Sequence, residues 1–158
     1  MEYGELMKDI RFEFEVRQKD MAKILGISRS TYSDFEQQYN IIPLKHLIKF
    51  CNHFDINMDY ILGLTKIRKY NDLKYEVITK NVGLNIRKLR RENKMQQQEL
   101  ANKLHITSAS LSSYERGRRL VSTGTLYSIC KLFNVSADFI LNRTNNKHLD
   151  NSKELVQG

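Results

Sequence analysis

The sequence is poor in residues that interrupt helices or cross-link chains. Its 158 residues include one proline, no tryptophan, seven glycines and two cysteines. Because proline and glycine are the least favourable residues in a helix interior, their scarcity favours an all-helical chain. The two cysteines, Cys51 and Cys130, do not make a disulfide scaffold and are expected to be small buried side chains.

What is missing also excludes several classes of protein. No apolar run approaches the roughly 20 residues that span a bilayer, and the acidic N-terminal stretch lacks the apolar core of a signal peptide. The four histidines show no metal-ligand spacing with the cysteines, so we predict no metal site and no cofactor. Because no glycine-rich phosphate loop, carboxylate pair or nucleophile constellation is present, we predict that the chain is not an enzyme.

Positive charge is concentrated in the C-terminal half of the chain. The formal net charge is +8 at pH 7, which favours a polyanionic partner such as nucleic acid. Residues 1–65 carry 8 Lys and Arg against 10 Asp and Glu, whereas residues 83–158 carry 13 against 6. The basic half is therefore the stronger candidate for contact with a polyanion.

The chain repeats itself after 79 residues. Residues 4–65 align with residues 83–144 without a gap, and 16 of the 62 aligned positions are identical, where chance would give about 4 at ordinary residue frequencies. A short helix is expected between the copies, from Leu73 to Thr79. We predict a first domain at 1–66, a linker at 67–82, a second domain at 83–144 and a polar tail at 145–158 that frays.

Apolar spacing and capping residues place helices in the second copy. A short helix is predicted around Ile86, and another is predicted to begin near Gln97. Thr107 is a good N-cap for a third helix that runs to about Glu115, and Ser136 is a good N-cap for a fifth. These positions repeat in the first copy, so the same helices are predicted there.

The turn between helices two and three is short in both copies. It is expected to need a positive φ, which Gly26 supplies in the first copy and which His105 tolerates better than most residues in the second. Two short helices across such a turn form a helix-turn-helix unit.

The second copy, "IRKLRRENKMQQQELANKLHITSASLSSYERGRR" followed by "SADFIL", closely resembles the Cro/phage-repressor-like (XRE-type) helix-turn-helix family. The first copy resembles it through "KDMAKILGISRSTYSDFE" and "NMDYIL". The resemblance implies an all-α fold of two tandem five-helix, lambda repressor-like domains. It also implies a sequence-specific transcriptional regulator, expected to be a repressor, that lays helix three in the major groove of a double-stranded DNA operator.

Further expectations follow from the family. Because its members read paired half-sites, a homodimer is expected. The protein is expected to be bacterial or phage-encoded, cytoplasmic and nucleoid-associated, with no membrane partner. The family often has Ser or Thr just before helix two, whereas this sequence has Arg17 and Gln96 there. This departure concerns the capping of helix two and not the fold.

The resemblance implies which side chains read bases. The predicted base-reading residues are Ser108, Ala109 and Ser113, and Ser112 lies on the same outward face. Short side chains let a helix approach the groove closely, serine hydroxyls bond base edges, and alanine can contact a thymine methyl group. The alternative is that these small residues only make a soluble helix surface.

Phosphate contacts are predicted beside this face. Gln97 and Thr107 match family positions that bond phosphate. Three arginines follow helix three on a loop turned by Gly117, where they would neutralise the DNA backbone; their alternative is a solvated basic loop. The predicted phosphate-binding residues are Gln97, Thr107, Ser110, Arg116, Arg118 and Arg119.

One arginine–glutamate pair recurs in both copies at the same offset. Arg11 and Glu36 in the first copy correspond to Arg90 and Glu115 in the second. In the family these residues form a semi-buried ion pair between helix one and the end of helix three. We therefore predict that both pairs are structural.

The two copies differ in their predicted DNA face. The first copy has "EQQYN" where the second has "ERGRR", and Asp34 replaces Ser113 at a base-reading position. Two mechanisms stay open: the first copy mediates pairing with another chain or another protein, or both copies read DNA. Weaker DNA contacts in the first copy are expected at Gln18, Ser28, Arg29 and Ser30. The alternative function for the chain is a protein-interaction module, antirepressor or antitoxin-like, with little specific DNA binding.

Overall fold

The protein is all-helical, as predicted. A computed structural model describes residues 1–149, in which ten α-helices and no β-strand occur. The only strand-like feature of these residues is an isolated antiparallel bridge between Val135 and His148. The chain divides into two compact units, the first at Met1–Lys69 and the second beginning at Tyr70.

The first unit contains five helices around an apolar core. The helices are α1 (Gly4–Glu13), α2 (Gln18–Leu25), α3 (Arg29–Glu36), α4 (Leu44–Phe54) and α5 (Met58–Ile61). Each amphipathic helix turns its apolar side inward. The fully buried core side chains include Met7, Ile10, Met21, Leu25, Leu47 and Phe50.

The second unit repeats this architecture. Its helices are α6 (Thr79–Glu92), α7 (Gln97–Lys103), α8 (Ser108–Glu115), α9 (Thr123–Phe133) and α10 (Ala137–Ile140). The predicted caps are confirmed: Thr107 Oγ1 accepts from the Ser110 amide at 3.0 Å, and Ser136 Oγ accepts from the Phe139 amide at 3.1 Å. Neither Arg17 nor Gln96 caps its helix with a side chain.

Residues with a positive φ lie at corresponding positions in the two units. The predicted positive φ between helices two and three is confirmed, with 72° at Gly26 and 57° at His105. The other four positions also correspond, and the matched pairs are Glu15 with Lys94, Gln38 with Gly117, Asp55 with Asn134, and Gly63 with Asn142. The same chain reversals therefore position the helices of both units.

A close approach of helix one to the end of helix three fixes a glycine in each unit. A Cβ atom on Gly4 would lie 2.0 Å from the carbonyl oxygen of Glu36, and one on Gly83 would lie 2.3 Å from that of Tyr114. Because real Cβ atoms do not approach backbone this closely, neither position has room for a side chain. This contact brings the arginine of helix one within reach of helix three.

The predicted helix between the copies is wrong, and the structure adds two observations on the segments around it. No helix occurs at 73–78, and α6 instead begins at Thr79, before the predicted start of the second domain. The first residues of the predicted tail are bonded, since the Ser136 amide donates to Lys147 O at 2.9 Å and the Asn145 amide to Asp72 at 2.8 Å. Residues 150–158 of that tail lie outside the described residues.

The predicted linker is held by hydrogen bonds near both of its ends. On the first unit, the Asn57 amide donates to Arg68 O at 2.8 Å. On the second unit, Asp72 accepts from Thr144 Oγ1 at 2.7 Å, and the Lys74 amide donates to Arg143 O at 2.8 Å. Hydrogen bonds from the Asn145 amide and from Thr144 Oγ1 lower the pKa of Asp72. Much of this segment therefore belongs to one unit or the other.

Candidate nucleic-acid interface

A buried ion pair joins α6 to the end of α8 in the second unit. Arg90 Nε and Nη2 donate to the two carboxylate oxygens of Glu115 at 2.8 and 2.9 Å, and Arg90 Nη1 donates to Met95 O at 2.8 Å. Gln97 Nε2 adds a contact to Glu115 at 3.2 Å. Charge-assisted bidentate geometry of this kind fixes orientation as well as distance. We call this arrangement the clamp of the second unit.

The first unit carries the same clamp. Arg11 Nε and Nη2 donate to Glu36 at 2.8 and 3.0 Å, Arg11 Nη1 donates to Val16 O at 3.0 Å, and Gln18 Nε2 donates to Glu36 at 3.2 Å. Burial opposes the ionisation of Glu36, but hydrogen bonds from Arg11 and Gln18 outweigh burial and lower its pKa. The hydrogen bond with Glu36 raises the pKa of Arg11. Both groups therefore stay charged at neutral pH.

The clamp fixes α8, whose outward side carries the predicted base-reading residues. Leu111, Tyr114 and Glu115 face the interior. Ala109 is exposed, and Ser108, Ser112 and Ser113 are partly exposed. The Ser108 hydroxyl donates to Gln98, and no side chain on this face is longer than serine. The helix therefore presents a narrow, uncharged surface.

The residues at the start of α8 bond to one another. Thr107 Oγ1 donates to Ser110 Oγ at 3.0 Å, in addition to capping the helix through the Ser110 amide. Thr107 is exposed and Ser110 is partly exposed. Gln97, another predicted phosphate contact, lies instead at the start of α7, is partly exposed and donates a side-chain hydrogen bond to Glu115 at the end of α8.

The arginine loop, residues 116–119, continues from the C-terminal end of α8. All three of its arginines are exposed. Arg119 lies along α8: its Nε donates to Ser113 Oγ at 3.4 Å, and its Cζ lies 4.9 Å from the centroid of the Tyr114 ring. Such a cation–π contact holds a guanidinium without neutralising its charge. The structure thus brings Arg119 to the edge of the predicted base-reading face.

Gly117 is required where the loop passes α6. Its φ is 70°, and a Cβ atom there would lie 2.6 Å from Lys80 Cα. Lys80 belongs to the first turn of α6, which sequence analysis assigned to the linker, and its side chain is exposed. The loop therefore has a fourth cation beside it that was not predicted.

A group of cations at the junction of α6 and α7 was not predicted from the sequence. A cleft of about 500 Å³ is lined by Arg90, Arg91, Lys94, Met95, Gln96 and Gln97. A second cleft, of about 220 Å³, is lined by Arg87, Arg90, Gln97, Glu115 and Arg116. Arg90 is engaged in the clamp, whereas Arg87, Arg91 and Lys94 are exposed. The run "RKLRRENK" at 87–94 is the sequence signal that could have identified them.

The same surface of the first unit keeps a cation at the position of Arg87, where Lys8 is exposed, but has none at the positions of Arg91, Lys94 and the three loop arginines. Phe12 stands at the position of Arg91 and is 60% exposed, and Tyr39 stands at the position of Arg118 and is 74% exposed. The four predicted weaker contacts are all accessible to some degree. Ser28, Arg29 and Ser30 are exposed, and Gln18 is partly exposed.

Residues 1–149 contain neither a candidate metal site nor a candidate membrane-spanning helix. Among residues 1–149 no group of three or more His, Cys, Asp or Glu side chains could hold a metal ion. Over the same residues, no helix combines the length and apolar character that a membrane span needs. Cys51 and Cys130 are both buried.

Known proteins resemble both units. The sequence matches the helix-turn-helix family HTH_3 twice, over residues 7–61 and 86–140. It is 27% identical over 93 residues to the HTH-type transcriptional regulator ImmR of Bacillus subtilis, covering 59% of this chain and 72% of ImmR. Two further relatives come from the same organism.

Both of these relatives are uncharacterized HTH-type transcriptional regulators. YqaE is 34% identical over 74 residues, which cover 46% of this chain and 64% of YqaE. YobD is 30% identical over 63 residues, which cover 40% of this chain and 56% of YobD. The chain thus spans less than two thirds of either protein. With both units matched, the chain belongs to the XRE-type helix-turn-helix family of transcriptional regulators and carries the family's DNA-binding unit twice.

Proposed function

We propose that the chain is a sequence-specific transcriptional repressor whose second unit binds double-stranded DNA with α8 in the major groove. The observation that carries this proposal is the position of Arg119, which contacts Ser113 at 3.4 Å. A cation for the DNA backbone and a short side chain for base edges therefore meet at one edge of α8. Phosphate contacts position a protein on the duplex, and base contacts specify the sequence.

The uncharged face of α8 is the proposed reading surface. Ser108, Ala109, Ser112 and Ser113 would contact base edges, since each is short enough to let the helix backbone approach them. Because serine discriminates less sharply between bases than arginine or asparagine, part of the specificity would come from DNA shape.

The cations around α8 are the proposed phosphate contacts. Arg116, Arg118 and Arg119 would bind the backbone at the C-terminal end of α8. Thr107 and Ser110 would bind it at the N-terminal end of α8, and Gln97 would bind it from the start of α7, where its side chain contacts Glu115. We add Arg91 and Lys94 to this set, because they line the cleft next to Gln97 and are exposed.

In this proposal the protein is a homodimer that reads paired half-sites. It acts at the nucleoid of a bacterium or on a phage operator. Contacts of Gln18, Ser28, Arg29 and Ser30 with DNA stay a prediction, and the absence of arginines from the loop after α3 supports only a minor contribution. The second unit supplies most of the affinity.

Salt-dependent binding tests the role of the arginine loop. The chain with Arg116→Ala, Arg118→Ala and Arg119→Ala is titrated against a labelled random duplex by fluorescence anisotropy. The slope of log affinity against log salt should fall by about 0.9 for each lost phosphate contact. A control with Lys45→Ala, Lys49→Ala and Lys66→Ala removes the same charge from exposed positions of the first unit. Equal slopes for the two triple variants would contradict the proposal.

Selection from a random duplex pool tests sequence reading. The wild-type chain should enrich a symmetric site, and Ala109→Asn should change the selected base at one position of each half-site. A pool without any enriched sequence would instead favour the protein-interaction module, for which the exposed Phe12 and Tyr39 of the first unit provide a specific surface.

A further inference from the structure

The outward side of α3 in the first unit corresponds to the DNA-reading side of α8 but has different chemistry. Arg29 lies at the start of α3 and Asp34 near its end, at the positions of Ser108 and Ser113. Arg29 is exposed and Asp34 is partly exposed. Within residues 1–149 neither side chain forms an ion pair. The face therefore carries one unpaired charge of each sign.

Small residues lie between these two charges. Ser30 is exposed, and Ser33 is partly exposed and accepts a hydrogen bond from Gln37 at 2.9 Å. A helix surface with serines at its centre lets another helix approach closely. The centre of this face is thus open to a second helix, with Arg29 and Asp34 at its two sides.

Large exposed aromatic side chains border the C-terminal end of the same helix. The Tyr39 amide donates to Asp34 O at 3.0 Å, which folds the loop back onto α3. The Phe12 ring centroid lies 4.9 Å from Arg11 Cζ, and Arg11 is clamped to Glu36 at the end of α3. Exposed aromatic residues beside a polar face are typical of protein interfaces. Neither side chain carries a positive charge for a phosphate.

We propose that this α3 face is the dimerisation surface and that its partner is the same face of a second copy of the chain. A two-fold axis midway between the charges sets Arg29 of each copy against Asp34 of the other, since the contact is isologous and self-complementary. Tyr39 and Phe12 then cover the rim of the contact. The inference rests on the proposed function for the homodimer and for the equivalence of the α3 and α8 faces, and it assigns Arg29 and Ser30 to the dimer contact in place of DNA.

Charge reversal in the full-length chain tests the pairing. Sedimentation velocity over a concentration series, without DNA, measures the dissociation constant of the dimer. Arg29→Asp and Asp34→Arg should each weaken self-association by about 10-fold or more, because two attractive contacts become repulsive. The reversed double variant, R29D/D34R, should restore it. An equimolar mixture of the single variants should form the heterodimer, because opposite charges again face each other.

A matched control and the DNA measurement separate the outcomes. Lys49→Asp reverses an exposed charge on α4 of the same unit and should leave the dimer unchanged. A monomer at every concentration, single variants that associate like wild type, or a double variant that stays dissociated would each overturn the inference. So would Arg29→Asp weakening DNA binding with self-association unaltered, because α3 would then contact DNA. If the arginine-loop variant loses DNA binding but still dimerises, the dimer contact does not depend on the DNA-binding surface, and the inference is supported.

Discussion

The first and second units share their buried framework and differ in the surface that surrounds it. Both have the glycine contact, the clamp and the five matched left-handed residues. Around the clamp, however, Phe12 replaces Arg91 and Tyr39 replaces Arg118. The surface charge can therefore change while the buried framework stays the same. The fold alone does not determine what each unit binds.

The difference also has a structural component at the start of the units. In the second unit α6 begins before its glycine and runs past Gly117, where only glycine has room. In the first unit the corresponding residue is Gln38, whose side chain donates to Met1 O at 3.1 Å and accepts from the Gly4 amide at 2.9 Å. The loop after helix three is thus held by backbone packing in one unit and by a side chain in the other.

Removing the clamp should have the largest effect and should affect both units alike. Glu115→Ala leaves Arg90 buried without its partner and is expected to cost about 3–5 kcal/mol of unfolding free energy, as for other buried pairs. Glu36→Ala should cost about the same for the first unit. Denaturant melts of the full-length chain measure both. A Glu115→Ala chain as stable as wild type would refute the structural assignment of the clamp.

Filling the glycine contact should have the next largest effect. Gly83→Ala and Gly4→Ala each force a methyl group against a backbone carbonyl and should cost about 1–3 kcal/mol. Gly124→Ala is the matched control, because a Cβ atom there meets nothing within 4 Å. In α9 it should raise stability by up to about 1 kcal/mol through helix propensity. Thermal melts in which all three variants match would show that the close approach is not needed.

Transferring the arginine loop should change binding more modestly. The first unit receives Gln37→Arg, Gln38→Gly, Tyr39→Arg and Asn40→Arg in a chain whose own loop arginines are alanine. DNA affinity should rise, and the salt slope should increase by up to about 2.7 for three new phosphate contacts. Asp34 should keep the affinity below that of wild type. Anisotropy titrations at several salt concentrations that show no change would mean that more than loop charge separates the units.

Exchanging the turn residues should have the smallest effect. His105→Gly should stabilise the second unit by about 0.5–1 kcal/mol, since the relief of left-handed strain exceeds the entropic cost of glycine. Gly26→His should destabilise the first unit by a similar amount, because there is space for the side chain but φ is 72°. Melting temperatures should therefore move in opposite directions. A parallel shift would indicate that the turn is not the cause.

The repeat in the sequence predicted most of the fold. The helices could be predicted from periodic apolar residues and from the caps Thr107 and Ser136, because these signals are local. The start of α6 at Thr79 could not be read from the sequence, because Ile78 makes no side-chain cap and residues 79–82 stand before the aligned copies. The buried Arg143–Asp138 pair, at 2.9 Å, also escaped prediction, since Leu64 occupies the position of Arg143 in the first unit and the repeat offers no counterpart.

The candidate site was predicted only where its residues are close in sequence. The serines of α8 and the arginine loop form one continuous stretch and were identified together. Arg87, Arg91 and Lys94 lie at least 14 residues before Ser108 and reach the site because α6 packs against α8. That contact depends on tertiary packing, which no local pattern specifies.

The shared clamp can also serve as a search pattern. Each unit has a glycine, an arginine seven residues later and a glutamate 25 residues after that. Because this spacing reports close backbone packing and a buried carboxylate, it should detect such units irrespective of their surface charge. Chains retrieved by the spacing could then be sorted by the four residues that follow the glutamate, which separate nucleic-acid binders from units with protein contacts.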